Sequence, residues 1–102
     1  MRRYPPSKKI KRILADLNEL EPVYSIEVID FENVIYHKIN DKYDIEVSGL
    51  DNQKRGYHCI IYVWEHDPLR TVEMIERDGS ISGLADTLVE LRRKYQAPPT
   101  QE

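Results

Sequence analysis

Apolar positions along the chain change period twice. Ser7 stands before a stretch in which Ile10, Ile13, Leu14, Leu17 and Leu20 recur at helical spacing, and Pro22 closes it. This is one amphipathic helix with an N-terminal cap. From Val23 the period falls to two. "VYSIEVID" sets Tyr24, Ile26 and Val28 against Ser25 and Glu27. "NVIYHKI" reads as a second strand, "NDK" at 40–42 as a turn, and "YDIEVSG" alternates Tyr43, Ile45 and Val47 with Asp44, Glu46 and Ser48. A polar loop, 49–56, bounded by glycines leads into a strand over 57–65. Ile81, Leu84, Ala85, Leu88, Val89, Leu91 and Tyr95 then mark a second helical stripe, with Ser80 or Ser82 to cap it.

The segment "DPLRTVEMIERDG" fits two readings. Asp67 and Pro68 suit a helix start. Thr71-Val72 and the short connection back from Trp64 suit a strand, which is the favoured reading. The expected architecture is an α+β two-layer sandwich: an antiparallel sheet of three to four strands between an N-terminal and a C-terminal helix (α-β-β-β-β-α). The expected organisation is a basic tail over 1–6, one domain over 7–95, and a second tail over 96–102.

The period of two decides how "HCIIYVWEHD" is read. Successive strand side chains point to opposite faces, so His58 and Cys59 are not a catalytic pair. Tyr57, Cys59, Ile61 and Val63 belong to the helix-covered layer. Ile60, Tyr62 and Trp64 belong to a face for which no helical stripe remains. Asp44, Glu46, Ser25 and Glu27, with Thr71 and Glu73, are expected on that same face. Asp44, Glu46, Glu27, Tyr62 and Trp64 are therefore the candidate partner-binding set, with aromatic anchors and carboxylates that select a basic protein partner. Homodimerisation through this face is a further expectation.

Charge adds a second candidate. The net charge is −3 over 102 residues, yet Arg2, Arg3, Lys8, Lys9, Lys11 and Arg12 fall within the first twelve with no acid among them. With Arg92, Arg93 and Lys94 also basic, the body of the chain is strongly acidic. The N-terminal cations offer an alternative function, contact with nucleic-acid phosphates. Other chemistry is not indicated. His37, His58 and His66 lack metal-ligand spacing, there is one cysteine, and the four glycines form no phosphate loop. No catalytic residue, metal or cofactor is expected. "EHD" at 65–67 reads as a solvated turn. No apolar run approaches the ~20 residues of a membrane span, and a cytoplasmic location is the default expectation.

The stretches "KIKRILADLNEL", "YDIEVSGL", "HCIIYVWE" and "ISGLADTLVELRRKY" resemble small accessory proteins of phages, plasmids and conjugative elements in element order, size and charge. Acidic inhibitors of CRISPR nucleases are among such proteins. They occupy a host protein's basic groove with acidic strands and loops in place of phosphates. The resemblance implies a non-catalytic binder or inhibitor.

Overall fold

The computed structural model describes residues 5–96. The expected tails, including Arg2, Arg3 and residues 97–102, lie outside the described residues or at their margin. The elements are α1 (Lys8–Leu20), β1 (Ser25–Ile29), β2 (Glu32–Lys38), β3 (Tyr43–Ser48), β4 (Cys59–Glu65), β5 (Arg70–Arg77) and α2 (Ile81–Gln96). The strands form one antiparallel meander in chain order, β1-β2-β3-β4-β5. The α+β sandwich is as expected, but the sheet has five strands rather than three to four. Both segments with weak alternation, 33–39 and 68–77, are strands. Gln96 belongs to α2 rather than to a tail.

Helix α1 starts where the sequence places it. The Ser7 hydroxyl accepts from the Ile10 N–H at 3.2 Å. An acid reaches the same end from far along the chain: Asp51 Oδ1 accepts the Ser7 N–H at 2.8 Å, and its Oδ2 accepts from Asn33 Nδ2 at 2.9 Å. Burial alone raises the Asp51 pKa, but the hydrogen bonds from Asn33 and Ser7 outweigh it and hold the group below its ordinary value. At the other end Asn18 bridges the turn into β1, its side chain donating to Tyr24 O and accepting from Tyr24 N.

Ile10, Ile13 and Leu17 from α1 and Leu84, Leu88 and Leu91 from α2 pack on Ile35, Ile45, Val47, Ile61 and Val63 of the sheet. Burying each such side chain stabilises the fold by about 1.5–3 kcal/mol before entropy is counted. Arg92 ties the two helices together. It pairs with Glu21 at 2.9 Å and lies over the Tyr24 ring at 6.0 Å. Among the described residues no helix is long and apolar enough to cross a membrane.

Two local devices shape the sheet beyond the hydrophobic pattern. The β1–β2 hairpin turns on Asp30 and Phe31, with φ of 51° and 66°. Positive φ at both central residues matches the twist of the strands, although a bulky Phe is rare there. A bulge interrupts the β4–β5 register between Val63 and Trp64: Val63 faces Glu73, whereas Trp64 faces Thr71. The extra residue changes the parity of β5. Thr71 joins the open face as expected, but Glu73 does not. It lies on the helix side, bonded to Lys94 at 2.7 Å and to the Tyr95 hydroxyl.

Candidate functional site

The sheet face opposite the helices carries the aromatic set. Cross-strand pairing puts Asp44 opposite Trp64 and Glu46 opposite Tyr62 on β3 and β4, with Tyr36 of β2 opposite Glu46. Tyr62 and Trp64 stack with ring centroids 6.0 Å apart and planes inclined by 26°. Met74, 67% exposed, faces Tyr62 from β5, and Leu69, 66% exposed, stands in the β4–β5 turn.

Between these groups is a concavity of about 290 Å³, whose walls include Ile29, Tyr36, Trp64, His66 and Leu69. Its carboxylates are Asp44, Glu46 and Asp30, and no lysine or arginine is among the lining residues. Asp44 and Glu46 are only 6% and 7% exposed. They are not free steering charges, as the alternation alone suggests, but elements of a hydrogen-bonded floor. Asp44 Oδ2 accepts from the Tyr36 hydroxyl at 2.6 Å and meets His66 Nε2 at 2.9 Å. Trp64 Nε1 donates to Glu46 Oε1 at 3.0 Å. Asp44 Oδ1 is buried and has no hydrogen-bond partner among the described residues. An unmatched buried acceptor of this kind costs about 1–3 kcal/mol.

The electrostatics follow from that composition. Burial raises the Glu46 pKa above 4.5; the Trp64 N–H opposes this, and the charges of Asp30, Glu32 and Asp44 add to it. Burial and the bond to Asp44 likewise raise the Tyr36 phenol. A carboxyl pKa raised by folding favours the protonated acid. The stability it contributes is therefore fully present below 4.5 and lost as pH rises through the folded-state value. Glu46→Gln keeps the acceptor for Trp64 and removes the charge. It is expected to be more stable than the parent at neutral pH, with the difference vanishing in acid below 4.5. Urea unfolding at two pH values measures this, and a Gln variant less stable at neutral pH contradicts it.

Of the candidate residues, Asp44, Glu46 and Trp64 converge on the concavity, and Tyr62 flanks it through Trp64. Glu27 is exposed on β1 opposite Val34, bonded by the Ser25 hydroxyl at 3.1 Å, and does not line the concavity. The "EHD" segment is a turn only at His66 and Asp67, and of the two only Asp67 is exposed. Glu65 is buried and paired with Arg70 and Lys42, and His66 turns back onto Asp44. Tyr36, His66, Ile29 and Leu69 were not indicated as site residues by the sequence. Tyr36 carried one usable signal, since it falls on the outward side once β2 is placed in register with β3.

His58 and Cys59 point to opposite faces. His58 Nδ1 lies 2.6 Å from Asp78 and Nε2 lies 3.0 Å from Glu76, and Asp78 above all raises the imidazole pKa. Burial pushes the Cys59 thiol up to about 11, which keeps it protonated and inert. No known protein family, curated protein or solved structure matches the chain. The fold and site define a small α+β sandwich with an acidic, aromatic-walled concavity on its uncovered sheet face.

Proposed function

We propose that the chain is a non-catalytic protein-interaction module that docks a basic partner through the open sheet face, with one Lys or Arg side chain of that partner seated between Trp64 and the Asp44–Glu46 floor. One observation carries the reading: three carboxylates line an aromatic-walled concavity with no lysine or arginine among its described lining residues. Glu46 is buried with no cation beside it among the described residues, so a guanidinium or ammonium from outside relieves a cost that the fold leaves in place there. The Trp64 ring would offer the same group a cation–π face. Asp44, Glu46 and His66 belong to no cluster able to hold a metal ion among the described residues, which favours an organic cation. Tyr62, Met74 and Leu69 supply apolar contact around it. The mobile-element resemblance fits this role, with the module acting as an inhibitor or accessory factor on a basic surface.

Trp64 is the single tryptophan of the chain, so tryptophan emission, excited at the red edge where the seven tyrosines do not absorb, reports on this concavity. Titration with an arginine-rich peptide is expected to change that emission saturably, and a matched acidic peptide to leave it unchanged. A Glu46→Lys variant should abolish the response, and pulldown from lysate should lose partners with the Trp64→Ala/Glu46→Lys double variant. An emission unmoved by the basic peptide, with identical partners recovered by both proteins, rejects the reading.

A further inference from the structure

The first turns of α1 and the loop between β3 and β4 enclose a second concavity, of about 380 Å³, lined by Lys8, Lys9, Arg12, Lys54, Arg55 and Tyr57 among others. Five of its eight lining residues are cations and none is an acid. Residues more than forty positions apart in the chain are brought together here, so the cluster is a product of the fold and not of the basic N-terminal run alone.

Lys9 has a structural role. Its Nζ donates to Asn52 Oδ1 and to Lys54 O, both at 2.9 Å, and lies 5.9 Å from the centroid of the Tyr57 ring. The loop is braced further by Asn52 Nδ2 on Gly49 O at 2.8 Å and by the Gly49 N–H on Glu32 at 2.6 Å. On this frame Lys8, Arg12, Lys54 and Arg55 make no ion pair and no side-chain hydrogen bond among the described residues. Elsewhere Lys38, Lys42, Arg70, Arg92 and Lys94 pair with acids, while Lys11, Arg77 and Arg93 do not among the described residues, so what sets these four cations apart is their convergence on one concavity. Asp51, the acid of this loop, has both oxygens committed to Ser7 and Asn33. The α1 first turn holds no acid either, although the macrodipole favours one there. A net acidic chain thus holds four cations together, with no acid partner among the described residues, against their mutual repulsion and the helix dipole.

We infer that this concavity binds the phosphates of a nucleic-acid single strand, with Lys8, Arg12, Lys54 and Arg55 on the backbone and the half-buried Tyr57 ring beside a base. A volume of about 380 Å³ seats one base, and the four cations lining it address the phosphates on either side of that base along the strand. Cations on two sides with an aromatic wall between them are the arrangement that single strands use. This site is separate from the open sheet face and does not depend on the function proposed for that face.

The test is fluorescence anisotropy of a labelled DNA single strand titrated with the full chain over a range of salt. Four phosphate contacts give a log–log slope of about −2.8, which is roughly a 50-fold loss of affinity for a fourfold rise in salt. Lys54→Ala/Arg55→Ala, at two exposed positions checked for folding by circular dichroism, should halve that slope to about −1.4. Lys38→Ala, outside the cluster, should leave it unchanged. Absence of binding at low salt overturns the inference. So does a slope that the Lys54→Ala/Arg55→Ala variant does not alter, which assigns binding to the N-terminal arm. Inorganic polyphosphate that binds as tightly per phosphate as the strand also overturns it, by assigning the site to polyanions in general, and a duplex preferred over the strand removes the single-strand geometry.

Discussion

Ile61→Ala is expected to lower the free energy of unfolding by about 2–5 kcal/mol, the range for removing a fully buried branched side chain with incomplete collapse of the space left behind. Ile61 is 0% exposed, pairs with Val47 and Ile75 on its flanking strands, and belongs to the cluster that both helices cover. A domain of this size is typically stable by only about 5–15 kcal/mol, so the variant loses a large share of its stability. Its neighbour Ile60 points the other way, lies between Ser48 and Glu76, and is only partly buried. Ile60→Ala is therefore the control, with an expected cost well below that of Ile61→Ala. Urea midpoints with an unchanged denaturant slope measure both. Equal losses at the two positions mean that the two faces of β4 are buried alike, and then no open face exists.

That comparison also shows why the fold was legible in the sequence. Strand β4 alternates without interruption from Cys59 to Glu65, and its odd-numbered positions are the buried ones. The stripes of α1 and α2 are regular too, and Ile10, Ile13 and Leu17, with Leu84, Ala85, Leu88 and Leu91, are buried as the spacing predicts, whereas Leu20 at the end of the α1 stripe is 65% exposed. Alternation fixes which face a side chain takes only while the register runs unbroken. The bulge opposite Val63 and Trp64 breaks it, and Glu73 accordingly moved to the helix side, where Lys94 and Tyr95 take its charge. No local sequence feature marks that bulge. The strand count was low for a related reason: Thr71-Val72 favours a strand while Asp67-Pro68 favours a helix start, and only pairing with β4 decides between them.

The site was legible in part. Asp44, Glu46 and Trp64 follow from parity alone. Their burial does not, because it depends on Tyr36, His66, Ile29 and Leu69, which arrive from three other parts of the chain. An acid on the outward side of a strand reads as solvated until its cross-strand neighbours are known to be aromatic. His66 shows the same limit: next to Glu65 and Asp67 it reads as a polar turn, yet its bond is to Asp44, 22 positions away. The basic concavity is more distant still from sequence reasoning. Lys8 and Arg12 are conspicuous as part of a charged run, whereas Lys54 and Arg55 are unremarkable until the loop folds back on α1.

Trp64→Ala is expected to weaken binding of the proposed basic partner by at least about 2 kcal/mol, roughly 30-fold, with the change mainly in the dissociation rate. The indole forms a wall of the concavity, stacks on Tyr62 and donates to Glu46, so its removal takes away the apolar contact, the cation–π face and the donor that orients the carboxylate. The cost to folding should be smaller than that of Ile61→Ala, because the ring is only half-buried and neither helix packs on it. Glu46→Gln separates charge from shape. It keeps an acceptor for the indole and should reduce affinity with a weaker salt dependence than the parent, since one attracting charge is gone. A double-mutant cycle between Trp64→Ala and Glu46→Gln is expected to show coupling, as both residues address one occupant through one hydrogen bond. If Trp64→Ala leaves affinity within about twofold while Glu46→Gln abolishes it, the occupant is held by charge alone and the aromatic wall is only part of the sheet surface. If neither substitution matters, the carboxylate floor serves the fold and the partner binds elsewhere.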